Sequence, residues 1–137
     1  FIPWSGAYVS GVSLDEYYET VEKMGRNVTK IDKDAMLEYV RTSGGQVIAN
    51  KGATFYAVSV AVCKLVATIL SSSDSVATVS SMMHGEYGIE DVCLSTLTLV
   101  GPKGVQGKIP MRMTKEEVEK LKASADALKA VIAQIEH

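Results

Sequence analysis

His84 is the only histidine in the interior of the chain, and Ser80, Ser81, Glu86 and Asp91 lie close to it in sequence. A histidine among hydroxyls and carboxylates is raw material for nucleophilic or general acid–base chemistry. The spacing does not support that chemistry, because the sequence holds no nucleophile elbow, no His-x-x-x-His and no Cys-x-x-Cys. A histidine beside a turn is the ordinary alternative, and His137 is merely terminal. Glu86, Glu90 and Asp91 offer paired carboxylates, but a turn between strands normally carries acidic residues into water. Gly101-Pro-Lys-Gly104 is not a phosphate loop, since it lacks the Gly-Lys-Ser/Thr ending and falls between predicted strands. Lys51-Gly-Ala-Thr54 is more informative. A glycine directly before an apolar helix lets backbone or ligand approach the helix N-terminus, where amide groups and the dipole favour an anion, and Thr54 adds a hydroxyl there. The hydroxyl of Thr54 has two readings, contact with such a ligand or capping of its own helix.

The elements that would position these residues follow from periodicity. Ala7 to Leu14 alternates loosely as a short strand or extended entry, and Ser13 is placed to cap a helix opening at Asp15. Gly25-Arg-Asn27 ends that helix. Asp32 caps the next one, with Ala35, Met36, Tyr39 and Val40 on one side and a kink or resumption expected at Gly44-Gly45. Ala53 to Leu70 reads as a helix apolar nearly all round, broken by Lys64 and diluted by Thr54, Ser59 and Thr68. No basic flank or second span accompanies it, so burial inside protein is the expectation, not a bilayer. Ala53, Ala57 and Ala61 would form a small-residue stripe on it.

Beyond Ser71 the period becomes two. Val76 to Met83 and Asp91 to Val100 predict strands around the turn Gly85–Gly88, with Cys93, Leu97 and Leu99 on one face and Val92, Leu94 and Val100 on the other. Gly101-Pro-Lys-Gly104 predicts a hairpin into a third strand, with Val105, Gly107, Ile109, Met111 and Met113 facing inward and Gln106, Lys108 and Arg112 outward. Thr114-Lys-Glu-Glu117 is a capping box, and it opens a helix with Val118, Leu121, Ala125, Leu128, Ile132 and Ile135 on one face. The fold class is therefore α+β, with antiparallel strands and long helices.

Composition sets the outer bounds. With 137 residues, 14 Lys+Arg against 16 Asp+Glu and a formal charge of −2, the chain is of ordinary globular make-up and has no basic cluster for nucleic acid. Cys63 and Cys93 lie in apolar runs and read as small buried thiols in a reducing, cytoplasmic setting, with no metal site. Between Thr42 and Pro102 the only charged residues are Lys51, Lys64, Asp74, Glu86, Glu90 and Asp91, about half the density of the whole chain. A region so poor in charge calls for cover from more than one side, more than 137 residues readily provide. The chain opens at Phe1-Ile-Pro-Trp4 with neither Met nor a signal-peptide layout, an opening that suits a processed terminus or a piece of a longer polypeptide.

Four segments taken together resemble the C-terminal half of the L-lactate and malate dehydrogenase family. They are Trp4-Ser-Gly-Ala-Tyr-Val-Ser-Gly-Val-Ser13, Lys51-Gly-Ala-Thr-Phe-Tyr-Ala-Val58, Gly85-Glu-Tyr-Gly88 with Asp91-Val92, and Leu121-Lys-Ala-Ser-Ala-Asp-Ala-Leu128. They fall in family order over essentially the whole chain, and Lys-Gly-Ala-Thr before an aromatic pair is most like the bacterial lactate branch. Where relatives often have Pro in the Asp-Val strand, this chain has Leu97.

The resemblance implies a substrate-binding C-terminal domain over 1–137 and a separate N-terminal dinucleotide-binding (Rossmann) half as its partner. It implies NAD as cofactor, interconversion of pyruvate and L-lactate, and a homo-oligomer, tetramer or dimer, in the cytoplasm, without nucleic-acid or membrane partners. Thr54 would bind substrate beside its side chain and carboxylate, and Val58, one turn further along the same helix face, would pack on the nicotinamide where the family usually has Ile. The family's catalytic His, its substrate-binding Arg, the Asp that orients the His and the glycine-rich loop all match positions upstream of Trp4. No residue of this sequence is thus assigned a catalytic role, and His84 does not correspond to the catalytic His. The alternatives are the equivalent half of an L-malate dehydrogenase and a non-catalytic binding module on the same fold.

Overall fold

The computed structural model describes residues 1–135, so His137 lies outside the described residues. The chain divides into two compact units, Phe1–Thr54 and Phe55–His137.

In the first unit, a 3₁₀ turn at Trp4–Gly6 leads into a hairpin of β1 (Tyr8–Val9) and β2 (Val12–Ser13), where a single strand or extended entry was predicted. Ser10 and Gly11 both take positive φ, 51° and 87°, the two-residue reversal whose twist suits adjoining strands. Ser13 then caps α1 (Leu14–Lys23) through a complete capping box with Glu16. Tyr18, buried on α1, accepts a hydrogen bond from the Ile31 N–H at 3.0 Å and so pins the returning loop. Asp32 caps α2 (Lys33–Lys51) by accepting from the N–H groups of Asp34 and Ala35. α2 runs unbroken through Gly44-Gly45 and stops at Gly52, whose φ of 81° admits little but glycine.

The second unit opens with α3 (Tyr56–Leu70) and continues as an antiparallel sheet of β3 (Ser75–His84), β4 (Glu90–Gly101) and β5 (Gly104–Lys108), in the order β3-β4-β5. α4 (Lys115–Ile135) closes it, and its capping box forms as predicted: Thr114 N–H donates to Glu117 Oε2 at 2.9 Å while Glu117 N–H donates to Thr114 Oγ1. The core is the cluster Met83, Ile89, Val92, Leu94 and Ala125, with Tyr87 and Leu121 packed on it. Of the two faces of β4, the one carrying Val92, Leu94, Thr98 and Val100 is therefore the buried one, and Cys93 is exposed on the other.

Several expectations give way here. β5 is shorter than the alternation implied, and Val105 and Ile109 are exposed. A bulge between Leu99 and Val100 inserts one residue, pairing Val105 with Val100 but Lys108 with Thr98. One extra residue reverses which side chains face the core, so Lys108 turns inward and donates to Ser81 O at 3.3 Å and to Ser81 Oγ. The apolar helix is not enclosed within this chain: no residue of α3 is buried, and Val58, Val60 and Val62 are each more than half exposed. Cys63 is likewise exposed and not buried. On α4 the N-terminal half meets the sheet, whereas Leu128, Ile132 and Ile135 remain open.

Tyr87 adopts φ 57° in the turn before β4, and its hydroxyl both accepts from Met111 N–H at 2.7 Å and donates to Met111 O at 3.2 Å. This ties the segment between β5 and α4 to the core. Tyr87→Phe keeps the ring and leaves both backbone groups without this partner, and should lower the unfolding free energy by about 1–2 kcal/mol, read from denaturant melts at unchanged m-value.

Candidate functional site

The residues around His84 divide once the strand geometry is known. Ser81 shares the buried face of β3 with Met83, and its hydroxyl is engaged by Lys108. Ser80 points to the other face. His84 ends β3 in an exposed position, and a bulge sets it opposite Glu90. Asp91 takes φ 55° in that bulge and is exposed. A groove of about 430 Å³ is lined by Ser81, His84, Glu86, Gln106 and Lys108 among others, while Ser80, Glu90 and Asp91 are not part of it.

The carboxylate in this groove serves the backbone. Glu86 Oε2 accepts from the backbone N–H of His84 at 2.7 Å, so the acid holds the turn and does not orient the imidazole. That bond is the main reason its carboxyl lies below the ordinary glutamate value; the Glu86 N–H adds to the effect, desolvation opposes it, and the charges of Lys108 and His84 contribute less. Ser81, committed to Lys108, has no histidine as base. The groove thus lacks the chain of contacts that nucleophilic catalysis needs. Lys108 was missed as a member because no residue type announces a bulge that reverses a strand's facing.

The Lys51–Val58 segment is arranged otherwise than its pattern implied. Gly52 terminates α2, and the nearest heavy atoms leave open space where a Cβ would stand. Its role is set by φ and not by close approach. α3 begins at Tyr56, with Phe55 in the cap position and no side chain capping it. Thr54 therefore precedes the helix, does not cap it, and does not share a helix face with Val58; Ala53 likewise drops out of the expected alanine stripe. Thr54 is exposed at the end of the first unit. Val58 stands in the first turns of α3 with 55% of its surface exposed. The Ser59 hydroxyl is spent on Phe55 O at 2.7 Å, which leaves the apolar side chains to define the character of this part of the helix. Among the described residues no cluster of His, Cys, Asp or Glu could hold a metal ion.

Comparison with known proteins bears on this segment. The sequence matches the family described as lactate/malate dehydrogenase, alpha/beta C-terminal domain, over residues 1–137. It is 35% identical over 133 residues to an L-lactate dehydrogenase of Acetivibrio thermocellus, covering 97% of this chain and 41% of that protein. The fold superposes with a TM-score of 0.86 on the ligand-bound minor L-lactate dehydrogenase of Enterococcus mundtii, at 28% identity, covering 97% of this chain and 41% of that one. It matches the malate dehydrogenase of Archaeoglobus fulgidus in complex with NADH at a TM-score of 0.73 and 28% identity, covering 80% of this chain and 37% of that one. The chain thus spans about two fifths of the length of these relatives.

The Glu86 geometry yields a pH dependence. A carboxyl held below its unfolded value stabilises the turn above the ordinary glutamate range, and that contribution is lost as pH falls through the depressed folded value. Hydrogen exchange at the His84 amide, corrected for intrinsic pH dependence, should therefore be protected at neutral pH and lose protection only below the ordinary glutamate range. In Glu86→Gln the pH dependence should be absent.

Proposed function

Because this chain belongs to the lactate/malate dehydrogenase family as its alpha/beta C-terminal domain, we propose that it is the substrate-domain part of an NAD-dependent L-lactate dehydrogenase. The observation that carries the reading is the 35–38% identity to L-lactate dehydrogenases across 96–99% of the chain. The reaction would interconvert pyruvate and L-lactate, with the catalytic His, Arg and Asp on the N-terminal part that these relatives' greater length implies. A homo-oligomer and a cytoplasmic location go with this reading; no single helix among the described residues is long and apolar enough to cross a membrane.

The residues present fit the cofactor in one limited way. The sequence contains no Gly-x-Gly-x-x-Gly, so this chain would supply no phosphate loop. It does present an exposed apolar wall, Val58 with Ala57 and Ala61 on α3, against which a planar ring can rest. When bound, the nicotinamide supplies the hydride-exchanging carbon. Val58 would exclude water from one side of that ring, where an apolar neighbour favours its uncharged reduced form over the cationic oxidised form. Thr54, exposed and committed to no helix cap, would offer a small hydroxyl and a methyl to the substrate, limiting side-chain size and holding polarity near the carboxylate. Gly52 contributes by stopping α2 sharply, so that Ala53 to Phe55 are connector and not helix.

A malate dehydrogenase is the second reading, favoured by the Archaeoglobus fulgidus match. A binding module without catalysis is the third. Intact mass of the purified protein, with NADH oxidation tested on pyruvate and on oxaloacetate, separates the three. Preference for pyruvate by a polypeptide about twice this length or more supports the first; preference for oxaloacetate or no turnover refutes it. In that enzyme, Thr54→Ala should change the ratio of kcat/KM for pyruvate to that for larger 2-oxo acids by about tenfold; an unchanged ratio removes Thr54 from the pocket. Val58→Asn should lower kcat/KM for NADH by about tenfold while leaving the melting temperature within a few degrees, because the side chain is exposed in this chain.

A further inference from the structure

We infer that the groove lined by the end of β3, the turn after it and β5 binds a small zwitterion, an α-amino acid with an uncharged apolar side chain, its carboxylate on Lys108 and its ammonium on Glu86. The inference goes beyond the dehydrogenase reading and does not depend on it. The groove, of about 430 Å³, belongs wholly to the second unit, and its size lies within the roughly 300–1,000 Å³ of small-molecule sites. Its wall carries one ammonium, Lys108, and one carboxylate, Glu86, together with the imidazole of His84. Among the described residues neither Lys108 nor Glu86 takes part in an ion pair.

Local bonds hold the two charges apart. Lys108 donates to Ser81 O and Ser81 Oγ on β3, and Glu86 Oε2 accepts from the His84 N–H at 2.7 Å. The Lys108 charge lowers the Glu86 carboxyl less than these backbone bonds do, as expected of charges that share a groove without touching. Both groups keep capacity for a ligand: an ammonium has three donors and a carboxylate about four acceptor sites. Ser81 Oγ, accepting from Lys108, also retains its own proton to donate.

The charges select the ligand. A half-buried ammonium without a counter-ion attracts an oxyanion, but Glu86 repels a ligand that carries negative charge alone. A metal cation is disfavoured by Lys108, and among the described residues no cluster of His, Cys, Asp or Glu could hold one. A molecule bearing both charges meets both walls. Its apolar part has a place on Met82 and Val105, which line the groove and are 44% and 53% exposed. Cover by more protein suits the apolar surfaces of α2, α3 and the second half of α4; laid over this groove, it would desolvate two charges and pair neither.

The test is a titration of the full-length polypeptide, carbon-13-labelled at its methionine methyls and followed at the Met82 resonance, which a Met82→Leu variant identifies. L-Leucine should shift that resonance saturably, with a Kd of about 1 mM, an ordinary affinity for so small a ligand. Its analogues 4-methylpentanoate, without the ammonium, and 3-methylbutylamine, without the carboxylate, should each bind at least about tenfold more weakly. Glu86→Gln keeps an acceptor for the His84 amide and removes the charge, so it should erase the preference for leucine over 4-methylpentanoate. Lys108→Met should erase the preference over 3-methylbutylamine. A groove merely loosened by either change would weaken all three ligands alike, and that result counts against the inference. No saturable shift up to about 50 mM leucine, or equal binding of all three ligands to the unaltered protein, would overturn it. Orthophosphate binding as tightly as leucine would assign a plain anion site and overturn the zwitterion. NADH oxidation by pyruvate, measured on the same preparation without leucine, tests the dehydrogenase reading separately.

Discussion

Burial of one face of the β3–β4 pair is the constraint on which the second unit depends. Met83 and Ala125 are almost wholly inaccessible, and with Ile89, Val92 and Leu94 they join the sheet to the first half of α4. Side chains alternate along a strand, so once this face is chosen every other residue of β3 and β4 is assigned. The two bulges then act as switches of facing. One sets Met83 against the Asp91-Val92 step and lets Asp91 take a positive φ; the other turns Lys108 toward Ser81. Tyr87 completes the arrangement by holding the Met111 backbone, so that the segment leading to α4 returns over the same face.

What the core leaves uncovered is as informative as what it encloses. Apolar residues of α2, α3 and the second half of α4 stand exposed, among them Tyr39, Val62 and Ile132. Scattered apolar surface is normal, but long helices with no buried residue are not. The charge-poor stretch from Thr42 to Pro102 coincides with much of this surface, and relatives of more than twice the length contain chain that could cover it. Val58 belongs to that surface.

Much was legible in advance because it depends on neighbours in sequence. The caps at Ser13, Asp32 and Thr114, the break at Gly25, the hairpin at Gly101–Gly104 and the amphipathic α4 all follow from side chains acting within a few residues of their own backbone. The family resemblance was legible for a similar reason, since its four segments are contiguous strings. The start of α3 was not legible: the apolar pattern runs continuously back to Ala53, and nothing in it says that Gly52 would end one helix and leave three non-helical residues before the next. That misplacement put Thr54 and Val58 on one helix face when they belong to different elements.

The amino-acid sequence by itself determined the α+β class, the order of the helices and of the sheet strands, most of their ends and the family, because local hydrogen bonding and hydrophobic period decide these within short windows of chain. Only the tertiary structure decided which face of the sheet is buried, that Lys108 faces inward, that Glu86 serves the His84 backbone amide instead of its imidazole, and that α3 and the edge of β3 remain open. Those outcomes depend on register between strands distant in sequence and on which surfaces find a partner. Neither is encoded in the spacing of residues along one segment.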